Sequence, residues 1–160
     1  MVLIRLVQPV DNKQIAAVIR SVLIEHDVPK AGTAYADASL DSMFEAYSSP
    51  RSCYFVVEKE GRVVGGAGIS QLENESETIC ELQKMYFLPE ARGIGLGSEM
   101  MKKCLIFAQS VGFTKCYLET MPYMHSAQKL YTAFGFHYID APMGSTGHTS
   151  CPVWMLKELY

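Results

Sequence analysis

The sequence predicts one domain of the mixed α/β (α+β) class, in which a central mixed, twisted sheet carries helices on both faces. The chain has 160 residues, of which 49% are hydrophobic and 19% charged, and this suits a single globular domain over residues 1–160. Residues 53–70 have the pattern of a β-hairpin. Further on, a strand, a loop, a helix and a second strand follow one another, which is typical of a crossover between parallel strands.

The N-terminal third is predicted to contain a strand and two helices. Residues 2–7 are apolar enough for a short strand. Asp11 and Gln14 have the spacing of a helix N-cap and its reciprocal partner, and apolar residues then recur at helical spacing over residues 15–22. Residues 36–48 carry several apolar side chains on one side and predict a second, weaker helix.

The middle of the chain is predicted to be mostly strand. The hairpin at residues 53–70 turns at the polar residues 58–61, and residues 78–88 predict a third long strand that ends at Pro89. A helical stripe of apolar residues follows over residues 96–108.

The C-terminal part is predicted to alternate between strand and helix. Residues 114–120 form a strand, and residues 127–134 form a shorter helix that stops at Gly135. Residues 136–140 and 151–159 are the final two strands.

Composition excludes several classes of protein. The net charge of −3 gives no reason to expect a nucleic-acid partner, and no apolar run is long enough to span a bilayer. The five cysteines are scattered and form no C-x-x-C pair, which argues against a disulfide framework and against a zinc site. We therefore expect a cytoplasmic setting, no membrane partner and no bound metal.

The glycine-rich stretch RGIGLG, residues 92–97, matches neither of two familiar nucleotide motifs. A P-loop requires Lys followed by Ser or Thr after its glycines, and no such pair follows here. The dinucleotide fingerprint requires Gly or Ala where this chain has Ser98, and it begins directly after a strand, whereas residues 89–92 intervene before Gly93.

An anion site explains these glycines better than a plain surface loop does. Gly95 and Gly97 lie in the first turn of the predicted helix, where each glycine costs up to about 1 kcal/mol relative to alanine. Backbone N–H groups at a helix N-terminus point outward and bind phosphate, and Arg92 would add a cation beside them.

Two motifs resemble those of the GNAT superfamily of N-acetyltransferases. Residues 92–97 resemble its acetyl-CoA signature R/Q-x-x-G-x-G/A, and AQKLYTAFGF, residues 127–136, resembles its later A-x-x-L-Y-x-x-x-G-F motif. The element order also agrees along nearly the full chain. The resemblance implies the GNAT fold with splayed middle strands, and an acetyl-CoA-dependent enzyme that transfers the acetyl group directly to a primary amine of a small molecule or peptide.

The resemblance also implies the residues that bind acetyl-CoA (coenzyme A). Its pyrophosphate would lie on the glycine loop, and its pantetheine arm would pair with the preceding strand. The implied residues are Met85, Tyr86, Phe87, Arg92, Gly93, Ile94, Gly95, Leu96, Gly97, Ser98 and Ser126. Many relatives carry an asparagine where this chain has Met124. Either Ser126 or His125 takes over that contact, or the contact is missing.

The catalytic candidates are a tyrosine and two glutamates. Tyr131 matches the tyrosine beside the coenzyme sulfur and is expected to protonate the departing thiolate, although it also lies on the apolar face of its predicted helix. Glu81 is the first candidate for the base that deprotonates the amine, and Glu119 is the second. A chain of waters, with ordinary structural roles for both carboxylates, is the alternative.

The segment between the last two predicted strands, DAPMGSTGHTSCPVW, is expected to border the acceptor amine. Thr146, His148 and Ser150 are the expected lining residues, and the alternative is a surface loop held by its own hydroxyl groups. The rival function is a non-catalytic acyl-CoA-binding sensor or partner module, and a dinucleotide oxidoreductase is third. A homodimer is compatible with the fold, and no feature of the sequence decides the matter.

Overall fold

A computed structural model describes residues 1–160 and contains a seven-stranded sheet with four α-helices. The strands are β1 (Val2–Leu6), β2 (Cys53–Lys59), β3 (Arg62–Gln71), β4 (Ile79–Phe87), β5 (Lys115–Thr120), β6 (His137–Ile139) and β7 (Val153–Glu158). The helices are α1 (Asn12–Glu25), α2 (Met43–Ala46), α3 (Leu96–Ser110) and α4 (His125–Ala133). The predicted fold class is therefore confirmed. None of the helices combines the length and apolar character needed to cross a bilayer.

The sheet is mixed, with the strand order β1-β2-β3-β4-β5-β7-β6. All neighbouring pairs are antiparallel except β4 and β5, which are parallel and are joined through α3. This connection is the predicted crossover, and it places the loop before α3 at the C-terminal end of β4, where ligands commonly bind in open sheets.

The two middle strands separate shortly after they begin. Parallel pairing covers only Ile79–Glu81 of β4, opposite residues 115–117 of β5. From Leu82 onward β4 pairs only with β3, so the backbone groups that face β5 have no strand partner. This is the splayed pair that the sequence resemblance implied.

A bulge in β4 changes the direction of the strand just after Gln83. The register against β3 shifts between Gly66, which is opposite Tyr86, and Gly68, which is opposite Gln83. Lys84 lies inside the shift with φ of 49°, in the left-handed region that non-glycine residues seldom adopt.

Tyr54 supports the bulge from the neighbouring strands. Its side chain is fully buried, and its hydroxyl donates a 2.7 Å hydrogen bond to the carbonyl of Lys84. The ring lies over Gly66 and Gly68, where a Cβ would come within 2.5 and 2.6 Å of ring carbons. Both positions therefore need glycine because any side chain would displace the ring.

The sheet is covered on both faces by separate apolar cores, as the alternation along β2 shows. Val56 belongs to the core that includes Ile19 of α1, and Val57 belongs to the core that includes Cys104 of α3. All five cysteines are free.

The predicted second helix over residues 36–48 is wrong. The chain there forms two short 3-10 turns, Ala34–Ala36 and Ala38–Asp41, and then the one-turn helix α2. Ser and Asp side chains favour such turns over helix interiors, and Asp41 instead pairs with Arg20 at 2.7 Å.

The predicted capping pair of Asp11 and Gln14 is also wrong. The Asp11 side chain does not cap α1; it is buried and accepts hydrogen bonds from the Arg5 guanidinium at 2.8 Å and from the Gln8 backbone N–H at 2.7 Å. Gln14 instead accepts a bond from the backbone of Val63 at 3.1 Å. A buried carboxylate needs a charged partner, and Arg5 of β1 supplies it.

Candidate active site

A cavity of about 480 Å³ lies between the end of β4, the glycine loop and the start of α4. Most of the residues implied for acetyl-CoA line it. They are Met85, Tyr86, Phe87, Arg92, Gly93, Gly95, Leu96, Gly97 and Ser126. Ile94 and Ser98 do not line it, and the Ile94 side chain points into solvent with 57% exposure. The fold therefore brings the two halves of the resemblance, the glycine loop and α4, to one cavity.

The glycine loop has a backbone shape that explains its composition. Gly93 and Gly95 have φ of 75° and 83°, and Gly95 is the N-cap of α3. A Cβ at either position would meet no atom within 4 Å, so nothing in the chain fills the space next to them. The first N–H groups of α3 lack helical acceptors and can bind an anion there.

Arg92 lines the cavity, but its charge is already paired. Its guanidinium makes two 2.8 Å bonds to the carboxylate of Glu25 at the end of α1, and its Nε donates to the carbonyl of Phe87 at 2.9 Å. The cation is therefore fixed beside the loop and largely neutralised by Glu25.

A second, narrower cavity of about 50 Å³ adjoins the first, and the two share Met85, Tyr86, Met124, Ala127 and Tyr131. Tyr131 is only 7% exposed, and burial raises the pKa of its phenol to about 12. Its hydroxyl therefore keeps its proton at neutral pH and can serve as an acid.

Three acid–base groups converge in the second cavity. Glu81, Glu119 and His148 each place one polar atom within 4.8 Å of the others. Glu81 is buried, and this burial raises its pKa to about 7, although a 2.7 Å hydrogen bond from Gln83 opposes the shift. A carboxyl group with this pKa is matched to proton transfer near neutral pH.

Glu119 has less free acceptor capacity than Glu81. One of its oxygens accepts a 2.6 Å bond from the Tyr117 hydroxyl, and the other accepts a 2.5 Å bond from Thr146. The second oxygen of Glu81, in contrast, has no hydrogen-bond partner in the chain. The geometry favours Glu81 over Glu119 as the proton acceptor.

His148 also takes part in an ion-pair group with Asp37 and Lys84. Its Nε2 lies 2.9 Å from Asp37, and the nearly buried Lys84 ammonium lies 2.8 Å from the same carboxylate. Burial lowers the pKa of His148, but the bond and the charge of Asp37 outweigh it, so the net pKa is raised. A third cavity, of about 380 Å³, is lined by Asp37 and Thr146, among others. It shares Glu81, Gln83, Lys84 and His148 with the second cavity.

Ser150 lies apart from the other expected acceptor residues. It lines none of the three cavities, because its hydroxyl donates to the carbonyl of Ala31 at 2.9 Å and its N–H donates to Gly32 at 3.0 Å. Ser150 therefore ties the loop before β7 to the loop after α1.

Several lining residues carry no local sequence signal. Val22 and His26, at the end of α1, reach the first cavity together with Tyr123. Asp37 and Tyr47 reach the third cavity from residues 36–48, which were predicted to form a weak helix. Only the three-dimensional packing of α1 and its following turns onto β4 brings these residues to the site.

Comparisons with known proteins find similarity to one family of enzymes. The model of the acetyltransferase (GNAT) family matches residues 20–136. A protein of Escherichia coli K12 described as the uncharacterized N-acetyltransferase YjgM is 47% identical over 150 residues, which cover 93% of this chain and 90% of that protein.

Solved structures show the same fold at low sequence identity. A GNAT-family acetyltransferase from Staphylococcus aureus Mu50 superposes with a TM-score of 0.88 and 18% identity over the full length of both chains. A phosphinothricin acetyltransferase from Sinorhizobium meliloti, solved with acetyl-CoA, superposes with a TM-score of 0.78 and 22% identity over 98% of this chain and 88% of its own.

Proposed function

The chain belongs to the acetyltransferase (GNAT) family, and from that premise we propose that it transfers an acetyl group directly from acetyl-CoA to a primary amine of a small molecule or peptide. Enzymes of this family use acetyl-CoA, and the chain is an N-acetyltransferase on that basis. The observation that carries the proposal is that Tyr131 lines both the cavity of the glycine loop and the cavity of the carboxylates. One group can therefore act between a bound thioester and an amine.

The first cavity has the features that acetyl-CoA requires. The N–H groups that follow Gly93 and Gly95 would receive the pyrophosphate, with Arg92 beside them. The free edge of β4 over residues 85–87 would bind the pantetheine arm as an added strand, and Ser126 would contact it from α4. A backbone N–H of the bulged strand would stabilise the negative charge that develops on the carbonyl oxygen.

The second cavity would receive the amine. Acetyl-CoA, when bound, supplies an activated thioester carbonyl that a neutral amine can attack. Glu81 would accept one proton of the ammonium before the attack, and the attacking nitrogen would release its second proton to solvent once the carbon–nitrogen bond has formed. Tyr131 would donate a proton to the coenzyme sulfur as the carbon–sulfur bond breaks. Each turnover then moves one acetyl group and returns both side chains to their starting protonation states through solvent.

Thr146 and His148 would border the entry of the amine. Both line the third cavity, which leads from the surface toward Glu81. We expect His148→Ala to raise the KM for the amine and to leave the affinity for acetyl-CoA unchanged. An unchanged KM for the amine with weaker binding of acetyl-CoA would indicate that His148 contacts the coenzyme and not the amine.

The experiment has two steps. Thermal shift with acetyl-CoA, CoA and NAD is expected to show stabilisation by the first two only, and stabilisation by NAD alone would contradict the proposal. A panel of primary amines is then screened for CoA release, and initial rates at varied acetyl-CoA and amine are expected to give intersecting double-reciprocal lines. Parallel lines would indicate an acetylated enzyme, and tight acetyl-CoA binding without turnover of any amine would favour the acyl-CoA-binding module.

A further inference from the structure

The Glu81 carboxylate is held by a chain of two hydrogen bonds that begins at Tyr47. The Tyr47 hydroxyl donates to Oε1 of Gln83 at 2.5 Å, and Nε2 of Gln83 donates to Oε1 of Glu81 at 2.7 Å. We propose that Tyr47 and Gln83 are positioning residues, which fix Glu81 so that its second carboxylate oxygen is free to take the proton of the amine. The inference depends on the proposed role of Glu81 as the base.

The two side chains of β4 are placed for this contact by the strand itself. Glu81 and Gln83 are two residues apart on one strand, so their side chains emerge on the same face. Both line the second and the third cavity, so the pair lies along the route expected for the amine. Gln83 touches the base and does not contact the coenzyme cavity.

Tyr47 is held firmly enough to impose an orientation on Gln83. It is only 9% exposed, and its ring packs against that of Tyr54 with 5.2 Å between the ring centroids. A Cβ at Gly68 would lie 3.0 Å from its ring, so β3 also packs closely against Tyr47. The hydroxyl therefore has little freedom to turn away from Gln83.

The direction of the hydrogen bonds favours one orientation of the amide. Burial raises the pKa of Tyr47 well above its usual value, so the hydroxyl keeps its proton and donates it to Gln83. Because the Gln83 oxygen is engaged, its NH₂ group must face Glu81. A flipped amide would place its oxygen against the carboxylate, and such a contact is repulsive when Glu81 is ionised.

The charged and polar groups around Glu81 determine how its pKa changes when the hydrogen bond from Gln83 is lost. Burial and the Glu119 carboxylate on β5 disfavour the ionised form, whereas Gln83, His148 and Lys84 favour it. Asp37 faces the site as well, but it is paired with both His148 and Lys84. Removal of the Gln83 donor leaves burial with less opposition, so Glu81 would ionise at higher pH.

The test is the pH profile of kcat/KM for the acetylated amine. Gln83→Met removes the donor at similar length, and the acidic limb is expected to move up by about one pH unit. Tyr47→Phe, which removes one oxygen atom, is expected to move the limb in the same direction by a smaller amount. Both variants are expected to keep the wild-type affinity for acetyl-CoA.

Tyr138→Phe is the matched control because Tyr138 donates an equally simple 2.7 Å bond to Gln128, outside the three cavities. Its pH profile is expected to match that of the wild type. If both variants fold and bind acetyl-CoA but the acidic limb of kcat/KM does not move, the positioning role is overturned. If Gln83→Met does not fold, Tyr47→Phe alone decides the question. Glu81→Gln separates the proposed base from the proposed positioning residues. If the acidic limb persists in Glu81→Gln, Glu81 is not the base and the positioning role fails with it. If the limb is lost in Glu81→Gln but Gln83→Met has no effect on it, only the positioning role fails.

Discussion

The buried hydroxyl of Tyr54 holds the carbonyl of Lys84 at 2.7 Å, at the one point where β4 leaves its regular pairing with β3. This contact links the core beneath α1 to the strand that lines both the coenzyme cavity and the carboxylate cavity. The shape of the proposed active site therefore depends on a residue that lines none of its cavities.

Tyr54→Phe is expected to lower the free energy of unfolding by about 1–3 kcal/mol, because the Lys84 carbonyl loses its partner in a buried place. Urea denaturation measures this change. Tyr138→Phe, at an exposed tyrosine, is expected to stay within about 0.5 kcal/mol of the wild type. Equal midpoints for the two variants would show that the Tyr54 hydroxyl does not stabilise the bulge.

Gly95→Ala and Gly112→Ala form a matched pair. Both glycines have positive φ, 83° and 92°, and a Cβ at either would meet no atom of the chain within 4 Å. We expect similar stability costs of about 1 kcal/mol from the backbone strain alone. Titration calorimetry with acetyl-CoA is expected to show at least about tenfold weaker binding for Gly95→Ala only, since its methyl group would occupy the phosphate site. Unchanged affinity in Gly95→Ala would argue against the phosphate cradle.

Glu25→Gln is expected to tighten acetyl-CoA binding by roughly three- to tenfold at low salt. Glu25 holds the Arg92 guanidinium with two 2.8 Å bonds, so its charge opposes that of Arg92 beside the anion site. The gain is expected to shrink at high salt because Glu25 and Arg92 are both partly exposed. Weaker binding in this variant would mean that Glu25 serves the coenzyme by orienting Arg92.

Glu81→Gln is expected to change how stability depends on pH. The pKa of Glu81 rises from 4.5 to about 7 on folding, so between these values the folded chain holds a proton that the unfolded chain has released. The stabilisation that Glu81 gives the folded chain by holding this proton is fully present below pH 4.5 and is lost as the pH rises through 7. The glutamine variant is expected to be more stable than the wild type above pH 7, by on the order of 3 kcal/mol. A difference between the two proteins that does not vary with pH would contradict the raised pKa.

Local pattern predicted the parts of the fold that local forces determine. The helical stripe after Gly95 and the hairpin turn before Arg62 are both present, because periodicity and turn chemistry act over a few residues. The failures involve partners far apart in sequence. Asp11 binds Arg5 of β1 instead of capping α1, and the segment before Tyr47 is shaped by its packing on α1.

In the candidate site, too, residues in short motifs could be predicted from the sequence, whereas contacts between distant residues could not. The resemblance singled out Tyr131 and the glycine loop from two short motifs, and the residues of both line one cavity. The contacts between these distant side chains could not be predicted: Tyr47 reaches Gln83 across 36 positions, and His148 reaches Asp37 across 111. Such pairs are set by the fold as a whole and leave no spacing rule in the sequence.

Tyr131→Phe asks whether Tyr131 protonates the coenzyme sulfur during the transfer. We expect the affinity for acetyl-CoA, measured by calorimetry, to stay within about twofold of the wild type, because the ring still fills its buried position. We expect kcat for the best amine to fall by about 10²-fold, because the acid is lost. An unchanged kcat would contradict the acid role of Tyr131 and, with it, the placement of the thioester between the two cavities.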